Sequence, residues 1–386
     1  MSQLESSILV KKAVVPGGYA NNCFLNIKHG KIHSITKNGA FSNVLKDYSH
    51  LTAIPGFIDI HTHGYYGVDA TYSSVDDIHR WSSMLAKRGV TSFIPTCVSL
   101  PFEQTAEFIE RIKLASTTQG PDEARIIGTR SEGPYISREK KGAHNPMYIR
   151  DPDINEIEKF VEASGDFPFI IDMAPELTGF QESAKYLVRN NKIVSIGHSA
   201  ASYSDAMSGI GGGAKLMTHF FNAMSPMKHR EVGMVGAGFL TDSIYLEIVA
   251  DLRHVSEEAI RILFKIRDVD HIIGITDSLS IGGTTTLNTQ LGGMEIVVRD
   301  GVAWVRNSDT IAGSVLTMDA AFRNLHRLVP DLAGLAKIFS TNAAKALNLK
   351  STGLIDAGMG ADINFIDDEM NVKETMIRGN LLGSKS

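Results

Sequence analysis

Between residues 51 and about 349, short apolar runs alternate with amphipathic stretches. Phe57–Ile60, Val90–Ile94, Arg125–Gly128, Phe169–Met173, Lys192–Ile196, Ala214–Met217, Ile244–Val249 and His271–Ile275 form eight candidate strands. Helix-patterned segments such as Val75–Arg88 and Glu103–Ala115 lie between most of them. Strand-helix alternation predicts a parallel sheet, and eight units predict an α/β fold closed into a (β/α)₈ barrel of the TIM type. An open doubly wound sheet satisfies the same periodicity.

Both ends of the chain have a different texture. Ile8–Val15, Phe24–Lys28 and Ile32–Thr36 read as strands separated by Pro16-Gly17-Gly18 and His29-Gly30-Lys31 turns, and Ala361–Ile366 and Thr375–Arg378 repeat the pattern. These ends predict a small β-sandwich domain from residues 1–54 and 350–386, flanking a barrel at 55–349. Near 291–305, Met294–Val298 and Val302–Val305 flank Arg299-Asp300-Gly301, the pattern of a hairpin with an Asp-Gly turn. Inserted after the last barrel strand, it is either a lid or a structural flap.

Charge and cysteine content narrow the function. The 386 residues carry a formal net charge of −5 and no Lys/Arg-rich run, which argues against nucleic acid as a partner. An anionic substrate needs a local positive pocket to overcome that sign. Cys23 and Cys97 make neither a metal spacing nor a disulfide framework, and are expected to be reduced in a cytoplasmic protein. Ile8-Leu9-Val10 runs at once into Lys11-Lys12, so no signal peptide is expected, and no segment has the length of a membrane span.

The candidate chemistry lies at the ends of the strands. In Asp59-Ile60-His61-Thr62-His63, strand periodicity puts His61 and His63 on one face, where two imidazoles can share a divalent ion. Glu132 in Ser131-Glu132-Gly133-Pro134, His198, His219 and Asp277 each follow another candidate strand. Singly they have ordinary readings: a capping acid, satisfied core histidines, a helix N-cap. Together they are six metal-capable groups near the C-terminal ends of strands, the face where barrels keep their active sites.

These residues resemble the amidohydrolase superfamily and, within it, the family of N-acetylglucosamine-6-phosphate deacetylases. The resemblance runs in order over nearly the whole chain. It is carried by Pro55-Gly56-Phe57-Ile58-Asp59-Ile60-His61-Thr62-His63-Gly64, Ser131-Glu132-Gly133-Pro134-Tyr135, Lys141-Gly142-Ala143-His144-Asn145-Pro146 and Gly197-His198-Ser199. It continues through Thr218-His219-Phe220-Phe221-Asn222-Ala223-Met224, Thr276-Asp277 and Ala312-Gly313-Ser314-Val315-Leu316-Thr317-Met318. By this resemblance Glu132, His198 and His219 match the ligands of the metal common to the group. His61 and His63 match ligands of a second metal that some members bind. Asp277 matches the catalytic acid/base beside that second metal, and His144 a residue that contacts the sugar near the scissile amide. Asn222 and Ala223 match contacts along the sugar, and Ala143 and Ala312 fall inside the substrate-lining stretches. Arg230 and His254 match phosphate ligands, one of which comes from the neighbouring subunit in family dimers.

The resemblance therefore implies a hydrolase with one or two divalent metals per subunit, zinc first, then iron, manganese or cobalt. It implies a phosphorylated N-acetyl amino sugar as substrate and a homodimer. The sequence departs from the family pattern at Thr129-Arg130-Ser131 before Glu132, at Asp251-Leu252-Arg253-His254, where a glycine is replaced and a cation added, and at Ser278-Leu279-Ser280. These departures leave the N-acetylgalactosamine epimer open. Dihydroorotase-like or deaminase-like chemistry fits less well, because Glu132 stands where those relatives use a carboxylated lysine. A non-enzymatic sugar-phosphate sensor is disfavoured by the presence of every candidate ligand and Asp277.

Overall fold

The computed structural model describes residues 5–37, 39–40 and 44–382. The outermost residues of the expected terminal domain, 1–4 and 383–386, lie outside the described residues.

Eight parallel strands run Phe57–Thr62, Val90–Cys97, Thr129–Glu132, Phe169–Met173, Ile193–Ile196, Leu216–Met217, Tyr245–Val249 and Ile272–Ile275, each hydrogen-bonded to the next in that order. The ring closes at its mouth. Asp277 N donates to His61 O at 2.9 Å and His63 N to Ser278 O at 2.8 Å. Thr276 Oγ1 donates to the buried Asp59 carboxylate at 2.6 Å. Val90–Cys97 and Phe57–Thr62 are buried along their whole length, because helices cover one face of each strand and the lumen takes the other.

The helices are built by local rules. In Val75–Ala86, Ser74 and Asp77 form a capping box, and Ile78, Trp81 and Leu85 make the buried stripe. Trp81 meets Phe93 of the second strand edge-on at 4.9 Å. Gly274 in the eighth strand is required by packing, since a Cβ there would lie 2.5 Å from the Phe339 ring.

The third strand corrects the sequence expectation. Arg125–Ile126 makes only a two-residue pairing beside the second strand, and the barrel strand is Thr129–Glu132. Its Thr-Arg-Ser-Glu sequence has no apolar run. Arg130 and Glu132 share one strand face by period two, and Arg130 is fully buried among polar partners instead of hydrophobic ones.

Strands from both ends of the chain meet in one seven-stranded sheet, ordered 380–381, 372–377, 363–366, 44–55, 6–15, 18–28, 31–36. Ile8, Val10, Leu25, Ile27, Phe365 and Met376 gather in its separate core. Arg125 ties it to the barrel by donating to Asp362 and, at 3.1 Å, to Thr352.

The insert after the eighth strand has three strands, Asn288–Leu291, Met294–Arg299 and Val302–Val305. Asp300 and Gly301 both have positive φ (53° and 75°), as the Asp-Gly hairpin turn requires. Its apolar residues Leu291, Ile296 and Ala303 pack with Val98, Ala143 and Ala312, which seats the insert beside the barrel mouth.

Candidate metal centre

The side chains of His61, His63, Glu132, His198, His219 and Asp277 converge at the C-terminal ends of five strands. His61 and Glu132 end or nearly end their strands, whereas His198, His219 and Asp277 each stand two residues beyond theirs. Those last three adopt positive φ (45°, 32° and 49°), which turns the chain sharply at the strand end. A left-handed backbone costs a non-glycine residue about 1–2 kcal/mol, so surrounding contacts must hold it. They do: Ser137 N donates to His198 O at 2.8 Å, Phe220 N to Glu247 O at 2.7 Å, and Ser314 N to Asp277 O at 2.7 Å.

Glu132 is the hub. Its Oε1 lies 3.0 Å from His198 Nε2 and 2.9 Å from His219 Nε2, and those two nitrogens are 3.0 Å apart. Its Oε2 lies 3.1 Å from His63 Nε2. His61 Nε2 is 3.6 Å from both Glu132 Oε1 and Asp277 Oδ1, and 3.3 Å from His63 Nε2. Two groups result, His61–His63–Glu132 and Glu132–His198–His219, whose ligand atoms all lie within 4.8 Å of one another.

This donor set fits a divalent ion. Metal–nitrogen and metal–oxygen bonds of about 2.0–2.2 Å put neighbouring ligand atoms roughly 2.8–3.6 Å apart, from right-angled to tetrahedral arrangements. The second partners of the rings point the same way. His198 Nδ1 donates to Lys140 O at 2.7 Å and His63 Nδ1 to Thr96 O at 3.1 Å, so in the neutral, metal-binding form of each ring the lone pair is on Nε2, facing the cluster. His144 is wired in the opposite sense. Its Nδ1 accepts from Ser99 N–H at 3.1 Å, which leaves the proton on Nε2, 3.4 Å from Glu132 Oε2.

The electrostatics separate these groups. Burial opposes charge on His61 and His63, yet Glu132 and Asp277 outweigh it and raise them to about 10 and about 9. Burial resists ionisation of Asp277, but His61 and His63 hold it down at about 2. Burial dominates at His144 and lowers it to about 4, so that ring is neutral.

A cavity of about 420 Å³ opens above the cluster. Ala143, His144, Asn222, Ala223 and His254 line it with His63, Glu132, His198, His219 and Asp277, while His61 lies fully buried beneath. Ala312 is buried between Ile311 and Gly313, which line it. Arg230 is exposed in the loop after Met224 and is not part of the cavity lining. The structure adds Lys140, Asp309 and Thr310 to the wall. Lys140 and the insert residues carry no spacing signal in the sequence, because folding of distant loops brings them to the mouth. The buried ion group Arg130–Asp172–Glu247 was also missed, although a lone charge inside each apolar strand, Asp172 in Phe169–Met173 and Glu247 in Tyr245–Val249, was its available sign.

A closed barrel with a carboxylate-bridged imidazole cluster at its C-terminal mouth defines a metal-dependent hydrolase of the amidohydrolase type, and the chain belongs to the Amidohydrolase family, whose model matches residues 52–382. It is similar to the N-acetylglucosamine-6-phosphate deacetylase of Lysinibacillus sphaericus, 33% identical over 359 residues and 92% of each chain. The N-acetylgalactosamine-6-phosphate deacetylase of Escherichia coli O157:H7 is 31% identical over 85% of this chain and 86% of its own. A solved N-acetyl-D-glucosamine-6-phosphate deacetylase mutant from Mycobacterium smegmatis, in complex with N-acetyl-D-glucosamine-6-phosphate, superposes with a TM-score of 0.91 at 26% identity, covering 98% of this chain and 99% of that one. Among the described residues no helix is long and apolar enough to cross a membrane.

Proposed function

We propose that this protein hydrolyses the acetamide of N-acetylglucosamine 6-phosphate to acetate and glucosamine 6-phosphate, as a step in amino-sugar breakdown. The observation that carries the reading is Glu132 shared between two imidazole groups, with Asp277 and the His144 Nε2–H beside it. Glu132, His198 and His219 hold the primary divalent ion, and His61, His63 and Asp277 the second position. A divalent ion there supplies Lewis acidity to the attacking water and the scissile carbonyl, and zinc is the first choice for these ligands. Asp277, held ionised, takes the proton from the attacking water and passes it to the departing nitrogen. His144 donates from Nε2 to the carbonyl oxygen as negative charge develops on it.

His254 binds the phosphate from within the chain. Arg230 reaches the phosphate of the neighbouring subunit in a homodimer, which accords with its absence from its own cavity. Such remote binding aligns the amide and selects phosphorylated substrates. A cytoplasmic location is part of this proposal, in keeping with two cysteines that are free among the described residues.

The N-acetylgalactosamine 6-phosphate reading is favoured by the Escherichia coli relative and by the altered loop Asp251-Leu252-Arg253-His254. Acetate release across N-acetylated hexosamines, with and without 6-phosphate, after reconstitution with each metal, tests both. Highest kcat/KM on N-acetylglucosamine 6-phosphate is expected. Preference for the galactose epimer selects the second reading, and no release from any phosphorylated sugar ends both. Asp277→Asn with normal turnover and full metal content removes the acid/base assignment.

A further inference from the structure

The floor of the metal centre is ionic. Barrel lumens are ordinarily filled by layers of branched apolar side chains. Here Arg130 of the third strand is fully buried between Asp172 of the fourth and Glu247 of the seventh, both also fully buried. Arg130 donates to Asp172 from Nε at 2.9 Å and from Nη2 at 2.7 Å. It donates to Glu247 from Nη1 at 2.6 Å and from Nη2 at 3.0 Å, and Nη1 also reaches Ile60 O at 3.2 Å. One guanidinium thus joins the first, third, fourth and seventh strands, a task that needs its planar fork. Buried ion groups add little stability over apolar packing, so stability alone is a weak reason for this one.

Glu247 connects the group to the cluster. The carboxylate oxygen that accepts from Arg130 Nη2, Oε2, lies 3.5 Å from His61 Nδ1 and 3.3 Å from His219 N. His61 Nδ1 is buried without a hydrogen-bond partner, so Glu247 Oε2 faces it at ion-pair distance, 3.5 Å. The two carboxylates against one guanidinium leave one net negative charge under two of the candidate ligands.

We propose that Arg130, Asp172 and Glu247 are positioning residues for the metal centre: Arg130 aims the Glu247 carboxylate, and Glu247 keeps the His61 proton on Nδ1 and anchors the backbone of His219. With a metal bound, His61 Nε2 would then present its lone pair on the side of Glu132 and Asp277. Outer partners of this kind typically change metal affinity or activity by about 10–100-fold. The inference rests on reading His61 and His219 as metal ligands, and is independent of which sugar is the substrate.

The test uses zinc alone as the probe, titrated into the metal-free full-length protein against a chelating dye. Glu247→Gln is expected to bind zinc about 10–100-fold more weakly while still unfolding cooperatively. A lower melting temperature with unchanged zinc affinity overturns the proposal, because a purely structural group moves only the former. Should Glu247→Gln fail to fold, ¹⁵N-histidine spectra of the zinc-loaded unmutated protein decide: the Nδ1–H tautomer at His61 supports the proposal and the Nε2–H tautomer overturns it. An unmutated protein that takes up no zinc overturns this inference and the metal reading together, whereas wild-type zinc affinity in Glu247→Gln overturns this inference alone.

Discussion

Ser99 N–H donates to His144 Nδ1 at 3.1 Å, beside the Ser99 hydroxyl at 2.8 Å from the same nitrogen, and the backbone donor leaves the ring proton on Nε2 toward the cavity. A neutral ring with Nε2–H is the state that can donate to a developing oxyanion. His144→Leu is expected to lower kcat about 10²–10³-fold with metal content unchanged, measured as acetate release on metal-matched samples. An unchanged kcat removes His144 from that role. Burial lowers His144 to about 4, below its unfolded value of 6.5. The unfolded chain therefore binds more protons between these values, so this contribution to stability is complete above pH 6.5 and is lost as pH falls toward 4.

His61 and His63 have the opposite sign. Without metal they are raised to about 10 and about 9, so they favour the folded state fully below pH 6.5 and lose that contribution as pH rises through 9 and 10. The melting temperature of the metal-free protein is expected to decline across that alkaline range. Because ligands bind metal deprotonated, filling the His61–His63 position at pH 8 should release about one proton per ring. Calorimetric titrations in buffers of different ionisation enthalpy measure this, and zero release at pH 8 contradicts it.

Arg230 lies outside its own cavity, so its role is testable by mixing subunits. Arg230→Ala is expected to raise KM for the 6-phosphorylated substrate and reduce discrimination against the free sugar. In the proposed homodimer, Arg230→Ala and Asp277→Asn, each inactive or weak alone, should complement after subunit exchange, because one site of each mixed dimer would have both residues intact. About a quarter of wild-type activity is expected from random C₂ pairing. Activity no higher than the sum of the separate variants assigns Arg230 elsewhere.

Asp362 joins the terminal sheet to the barrel. It is buried and accepts from Arg125, from Thr352 Oγ1 at 3.0 Å and from Arg378 N at 3.0 Å. Arg125→Met leaves the carboxylate with two neutral donors, and is expected to cost about 2 kcal/mol, less than a fully isolated buried charge. Denaturant unfolding checks the loss, with kcat expected to stay within about twofold, since Arg125 touches neither the cavity nor the cluster.

The features legible in the chain were those that repeat locally. Apolar runs located seven of the eight barrel strands, and period-two geometry put His61 and His63 on one face, because both depend on backbone geometry over a few residues. The same rule missed the third strand: Arg130 and Glu132 are polar because they face other buried charges, and those partners lie on distant strands. Arg130 and Glu247 are 117 positions apart, and no spacing relates them until the barrel closes. Tertiary structure alone decided that Glu132 sits between both histidine pairs, that Ser99 sets the His144 proton, and that Arg230 is exposed outside the lining of the cavity. Each depends on the register in which eight strands close, and that register is set by packing around the whole ring, not by any one segment.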